Sequence, residues 1–500
     1  MSEKYILSHD VGTGGTKASL IDLEGKIIDS KFEEYELHHP QESWAEQNPN
    51  EWWNAVIKTT REVLDKTKIP ANAIEAISFS VQMVGTLPVD ELGNPVRNAM
   101  IWLDARAKKE PDEIMEKIDL NTIFEITGLL PGPKDIISKI VWFMNNEPSL
   151  YEKTHKIIDS KDFLIHKCTN KFITDQSCAS VSVLFDTRKD KLKWSEEICE
   201  AINLPMDKLS KIMNSTDIVG ELTEKAANEL NLRSGTPVIN GAGDAASAAI
   251  GSGAIRENKP HIYIGSSGWI TAHISKRDAS LEYFIGSICS ANPSRYLLIS
   301  EQESAGACYK WFRTELGNNQ TYQELDKIAS ESVPGANNLI FLPWIYGERS
   351  PILDDKVRGG FINLSLTHKR KDFVRSVMEG VAYNTGWALK GIEKLCGSVT
   401  ELNLIGGGAK SPVWCQIFAD VLNKKIKVPD EPLHSGAKGA ALLALIGLDI
   451  CKNFEELEDL IKIEKEYYPN KANLTVYNSI FKQFTKIYKK MSGIFHKLNE

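Results

Sequence analysis

The stretch VINGAGDAASAAIGSG, Val238 to Gly253, holds one carboxylate, Asp244, between a short apolar run and a series of small residues that reads as the start of a helix. Glycine lets backbone approach a ligand closely, and an acid after such a turn can take a proton from a molecule bound above it. Asp244 is therefore a candidate general base; on these residues alone, capping of the alanine-rich helix is an equal alternative. Two other stretches have the makings of anion sites. DVGTGGTK, Asp10 to Lys17, places an acid at a strand end, then a Gly/Thr turn, then a lysine. Successive backbone N–H groups in that turn form an anion nest, Lys17 adds positive charge, and Asp10 can hold a hydrated Mg²⁺. A plain structural hairpin has the same composition, so both readings stand. HIYIGSSGWITAHIS, His261 to Ser275, repeats the device with a GSSG turn. Two such hairpins, one early in each half of the chain, predict a duplicated architecture whose turns face each other across a cleft, an arrangement suited to a polyphosphate.

The elements that must position these residues follow from periodicity. Tyr5 to Ser8 and Ala18 to Leu23 read as strands around the first turn, giving strand, turn, strand and not the strand, turn, helix of a Rossmann or P-loop site. Apolar residues recurring at three and four predict helices over Trp52 to Thr67, Asp372 to Leu395, Val413 to Leu422 and Val476 to Leu498. The division expected is an α/β domain over residues 1–237 and a second over 238–500, with closure over substrate at the cleft between them. The whole chain has 500 residues, 42% hydrophobic and 25% charged, with a net charge of −8 and interspersed signs. No broad basic surface follows from this, which argues against a nucleic-acid partner and leaves a small molecule as the expected substrate. Eight cysteines carry no CxxC pair and no metal-ligand spacing, as in a reducing compartment. The N-terminus lacks a signal-peptide core, and the longest apolar run, Ala440 to Leu448, is too short to span a bilayer. A cytoplasmic protein with no membrane partner is expected.

Several further stretches in order carry a resemblance: HHPQESWAEQNPNEWW from His38, SVQMVG from Ser80, IWLDARA from Ile101 and FLPWIYGERSP from Phe341. GGFINLSLTHKRKDFVRSVMEGVAYN from Gly359 and LIGGGAKSPVWCQIFADVL from Leu404 complete the set. With DVGTGGTK and GAGDAASAAIG, the chain resembles a sugar kinase of the FGGY family throughout its length, and within it most resembles the xylulokinases. The resemblance implies a two-domain α/β fold of the actin, Hsp70 and hexokinase type (ribonuclease H-like), with ATP and sugar in the interdomain cleft. It implies that Asp244 deprotonates the sugar hydroxyl and that Asp10 organises Mg²⁺. Thr13, Gly14, Gly15, Thr16 and Lys17 match the first phosphate turn, and Gly265, Ser266, Ser267 and Gly268 the second. Gly407, Gly408 and Ala409 match the adenosine site, and Gly306 and Lys310, in SAGACYKWF, match positions near the nucleotide. The family also admits a homodimer.

On the sugar side the resemblance implies contacts from Gln82, Met83 and the residue at Val84, and from Trp102, Asp104 and Arg106. Arg106 is alternatively a residue that holds Asp104 in place, and Trp102 alternatively a core aromatic. Here the sequence departs from its likeness: Val84 stands where xylulokinases have histidine, and Ala245 where asparagine is common. Two hydroxyl partners are lost, and such losses change acceptor preference. The expected reaction is phosphorylation of D-xylulose to D-xylulose 5-phosphate. The alternatives are a kinase for ribulose, for a polyol such as erythritol or for a hexose derivative, and a non-catalytic sugar-binding relative.

Overall fold

From Tyr5 to Val11 the side chains are almost all buried, as expected of a strand covered on both faces. In the computed structural model, which describes residues 3–499, this strand (β1, Tyr5–Val11) pairs antiparallel with β2 (Gly15–Asp22), which pairs with β3 (Ile27–Glu34). The register sets Asp10 opposite Lys17. On its other side β1 is parallel to β4 (Ile74–Val81), which is parallel to β5 (Pro237–Ile239). The strand order is thus β5-β4-β1-β2-β3.

The second half repeats it. The strands β6 (His261–Ile264), β7 (Gly268–Ile274) and β8 (Tyr296–Gln302) form an antiparallel meander. Beside β6 run β9 (Glu401–Ile405) and β10 (Lys425–Pro429), both parallel to it. The order β8-β7-β6-β9-β10 reproduces the first sheet, so the two expected hairpins occupy equivalent places. Helices lie at Pro49–Thr67, Arg370–Cys396, Pro412–Leu422 and Leu474–Leu498, each starting one to three residues before its apolar pattern. Polar capping residues account for two of these early starts: Asn48 accepts from the Asn50 N–H, and Ser411 from the Trp414 N–H, each followed by proline.

The sequence division at 237/238 cuts through the first sheet, because β5 and the short strand Ala242–Gly243 both pair with β4. The halves are further interleaved by two helices, α1 (Asp244–Gly251) and α2 (Ser435–Gly447). A Cβ on Gly439 would stand 1.8 Å from the Ser247 carbonyl oxygen, and one on Gly251 would stand 1.9 Å from that of Ser435. Backbone therefore meets backbone, and only glycine admits the approach. Around this crossing Ile6, Ile21 and Ala76 of the first sheet share one apolar cluster with Ala249, Leu442 and, from the second half, Leu297. All eight cysteines are free thiols, most of them buried. Among the described residues no helix is long and apolar enough to cross a membrane.

Candidate active site

The two hairpin turns open onto one cleft of about 1060 Å³, with Thr13, Gly14, Gly15 and Lys17 on one wall and Ser266, Ser267 and Gly268 on the other. The first turn closes through Gly12 N–H to the Gly15 carbonyl at 3.0 Å, the second through Gly265 N–H to the Ser267 carbonyl at 3.0 Å. Lys17 is half-buried, and desolvation lowers its pKa while Asp10 opposes the shift; its Nζ donates to the Leu433 carbonyl at 2.8 Å. That bond ties the first turn to the segment leading into α2. Thr16 is buried behind the turn and does not face the cleft. Gly306 donates its N–H to the Gly265 carbonyl at 2.8 Å, and Ala305 and Ala307 donate to that of Ser266 at 2.9 and 3.0 Å. A Cβ at Gly306 would stand 2.3 Å from the Gly265 oxygen. Gly306 thus braces the second turn from behind and is not itself on the cleft wall.

Asp10 and Asp244 both line this cleft. Asp244 is the first residue of α1, delivered there by the close approach of Gly243 to Met83: a Cβ on Gly243 would stand 2.4 Å from the Met83 sulfur. Its Oδ1 accepts from the Ala245 N–H at 2.7 Å. The positive end of a helix favours the anion, but burial disfavours it more, and Asp10, Glu301 and Asp159 add repulsion. The carboxyl is pushed up from 3.8 to about 7. A carboxylate poised near neutrality and facing the cleft has the protonation behaviour of a general base. Asp10 is also raised by burial; its Oδ1 accepts from Ser80 Oγ at 2.8 Å. Gly436 leaves room over it, since a Cβ there would stand 2.7 Å from that oxygen. Among the described residues no three Asp, Glu, His or Cys side chains cluster as a metal cage. One carboxylate beside glycine-rich turns with free N–H groups is instead a donor set that fits Mg²⁺, which keeps several waters and leans on substrate phosphates.

At the other end, Trp102 lines the cleft and its Nε1 donates to Thr13 Oγ1 at 2.8 Å, linking that wall to the first turn. Met83 and Val84 line it as well. Gln82 is buried: its Oε1 accepts from Thr13 Oγ1 at 3.2 Å and its Nε2 donates to Gln47 at 2.8 Å, so it supports the turn. Asp104 and Arg106, expected as sugar contacts, are buried off the cleft. Asp104 Oδ2 accepts from the Ala45 N–H at 2.7 Å and Oδ1 from Arg106 Nε at 2.9 Å. The Arg106 guanidinium lies 3.6 Å from the Trp44 ring centroid and 4.9 Å from that of Trp142. Of the two arrangements open to Arg106, retention of Asp104 is the one present, and it leaves neither oxygen of Asp104 free for a sugar. Lys310 is exposed on the outer face of its helix and also lies off the cleft. In the glycine-rich stretch Gly407 faces the cleft, whereas Gly408 and Ala409 are buried, Gly408 closely against Ile264.

Several cleft residues escaped the sequence reading. Arg349 donates from Nη1 to Glu301 at 2.8 Å and from Nε to Glu303, and its guanidinium lies 5.4 Å from the Trp102 ring centroid. Lys134 reaches Glu303 at 3.1 Å from the opposite wall. Asp135, which immediately precedes the next helix, turns its side chain away from the helix N–H groups and accepts from the Gly132 N–H at 2.6 Å, and burial pushes it up to about 6. Beside the second turn Tyr263 and Trp269, facing each other across β6 and β7, stack with centroids 3.8 Å apart. Arg349 was within a recognised stretch, FLPWIYGERSP; nothing marked Lys134 or Asp135.

Residues 5–251 match the N-terminal domain of the FGGY family of carbohydrate kinases and residues 262–448 its C-terminal domain. A xylulose kinase of Staphylococcus epidermidis is 31% identical, covering 98% of this chain and 97% of its own. A gluconokinase of Bacillus subtilis is 29% identical over 97% and 95%. Among solved structures, that of ligand-bound xylulose kinase from Lactobacillus acidophilus superposes with a TM-score of 0.91 at 27% identity, covering 99% of this chain and all of the other.

Proposed function

This chain belongs to the FGGY family of carbohydrate kinases, and as a sugar kinase we propose that it transfers the γ-phosphoryl group of ATP to D-xylulose, giving D-xylulose 5-phosphate. The observation that carries this reading is Asp244 at a helix start, raised to about 7 and sharing one cleft with two opposed phosphate turns. Asp244 takes the proton of the acceptor hydroxyl. That oxygen bonds to the γ-phosphorus as the bond to the β,γ-bridging oxygen breaks, and ADP leaves with the electron pair. The N–H groups of Thr13 and Gly14 and of Ser266 and Ser267, with Lys17, hold the phosphates in line, and Gly407 leaves backbone open to the flat adenine. Mg²⁺ held by Asp10 through water would neutralise charge on the phosphates when bound.

The acceptor end supports an uncharged sugar. A sugar acid would need a free cation, yet Arg349 and Lys134 are paired to Glu301 and Glu303. The remaining charged groups there, Asp135 and Asp244, are acidic and would repel a carboxylate. The likeness to a gluconokinase makes D-gluconate the rival to test. A coupled assay of ADP release with ATP and Mg²⁺ is run against D-xylulose, D-ribulose, erythritol, D-gluconate and a no-sugar control. D-xylulose is expected to exceed D-gluconate in kcat/KM by about 100-fold or more, the scale on which buried polar mismatches discriminate. Preferred turnover of D-gluconate or of another acceptor overturns the substrate, and ATP hydrolysis indifferent to sugar overturns the kinase chemistry assigned to this cleft.

A further inference from the structure

The helix Ile136–Asn146 starts at the cleft, where Asp135 precedes it. One turn further along, Lys139 is completely buried. Its ammonium donates to the Val84 carbonyl at 2.8 Å and to the Ile101 carbonyl at 2.9 Å. Both partners are neutral backbone groups. Burial pulls Lys139 down to about 8, with Asp104, Asp135 and Asp159 opposing from further away. An ammonium in such a place carries a desolvation cost that an apolar side chain of similar length would not. The explanation lies in what the two carbonyls belong to.

Val84 has φ +65°, a left-handed conformation in which a β-branched residue is strained, and its side chain lines the cleft. The peptide that follows is also fixed, with Gly85 N–H donating to Asp159 Oδ2 at 3.0 Å. Ile101 immediately precedes Trp102, the aromatic wall of the acceptor end. The two segments are joined by a backbone pair, Thr86 N–H to the Met100 carbonyl at 2.9 Å and Met100 N–H to that of Thr86 at 3.0 Å, and just beyond the end of that pair both are fastened to one buried charge. We propose that Lys139 is a positioning residue for the acceptor: by strapping the backbone at Val84 and Ile101 it holds Val84 in its strained conformation and sets the spacing between Val84 and Trp102. Strain of this kind persists only where its surroundings enforce it, and Lys139 supplies the enforcing bond on the Val84 carbonyl, beside the one from Gly85 to Asp159. The inference rests on the cleft being the acceptor pocket of a sugar kinase.

The test compares wild type with Lys139→Met, which removes the donors, and Lys139→Gln, which keeps an N–H₂ group. Steady-state kinetics with D-xylulose and ATP are measured alongside amide hydrogen exchange of the ligand-free proteins. For Lys139→Met the KM for D-xylulose is expected to rise about tenfold or more, the scale of a lost charge-assisted hydrogen bond, while the KM for ATP stays within about twofold. Lys139→Gln should recover part of that loss. Exchange should quicken in segments 82–86 and 100–104 but not in the second phosphate turn, 265–268. Exchange needs no acceptor, so if D-xylulose proves not to be a substrate, the proposed function falls and the exchange result alone decides the role of Lys139. Unchanged exchange in both segments, or KM values for ATP and sugar rising together, overturns the inference. Should Lys139→Met not fold, Lys139→Gln against wild type carries the same two criteria.

Discussion

Replacing Asp244 by asparagine should remove activity and add stability, and the added stability should depend on pH in a way fixed by the geometry. Unfolded, this carboxyl titrates near 3.8; folded, burial and the neighbouring Asp10, Glu301 and Asp159 push it to about 7. Between these values the native chain holds a proton that the unfolded chain has lost, so native stability falls as pH rises and the loss is complete above about 7. At about 1.4 kcal/mol per pH unit the full penalty is about 4 kcal/mol. Asparagine is never ionised and escapes it. Relative to wild type the variant should gain about 2 kcal/mol at roughly pH 5.5 and about 4 kcal/mol at roughly pH 8.5. The assay is urea unfolding of both ligand-free proteins at the two pH values, with coupled ADP release measured in parallel. Loss of the base should lower kcat by about 10²- to 10⁴-fold while nucleotide binding remains. A stability gain equal at both pH values, or a variant less stable at the higher one, refutes the account of Asp244 as a carboxylate ionised against its surroundings. Near-normal turnover refutes its role as the base.

The same carboxyl should govern the pH profile. Protonated Asp244 cannot accept the hydroxyl proton, so kcat/KM should fall about tenfold per unit as pH drops below about 7. Glu301→Gln, which removes one of the repelling charges, should move that limb to lower pH; an unmoved limb would show that a different group titrates. Gly306→Ala places a Cβ 2.3 Å from the Gly265 carbonyl oxygen, where neither backbone can yield without shifting the second turn. The KM for ATP should rise about tenfold, on the scale of overpacking at a rigid contact, and a wild-type value would show that Gly306 does not brace the turn.

The two turns and the carboxylate at the helix start were legible because each is local. A hairpin such as DVGTGGTK encodes its own turn, its lysine opposite its acid, and the run after Asp244 encodes its own helix; the structure needed only to bring these pieces to one cleft. Helix positions were legible for the same reason, with capping residues such as Asn48 and Ser411 accounting for early starts. The acceptor end was read less well. Residue type left open whether Arg106 holds Asp104, and gave no sign that Ala45 takes the other oxygen or that Gln82 faces the first turn, because those partners come from segments remote in sequence. For the same reason Lys134 and Asp135 passed unnoticed: a lysine followed by an aspartate is ordinary until Glu303 arrives opposite it.

The boundary between the halves shows the division most plainly. Sequence by itself determined two hairpins with glycine-rich turns, one candidate base and the repeated α/β character, all properties of contiguous residues. Only the tertiary structure decided that β5 returns to the first sheet and that α1 and α2 cross through Gly251 and Gly439. It alone decided that Val84 is strained against a buried lysine and that Asp244 is raised to about 7. Each of these depends on burial and on distances between residues far apart in the chain, and a field or a contact between remote residues exists only once the fold has closed around it.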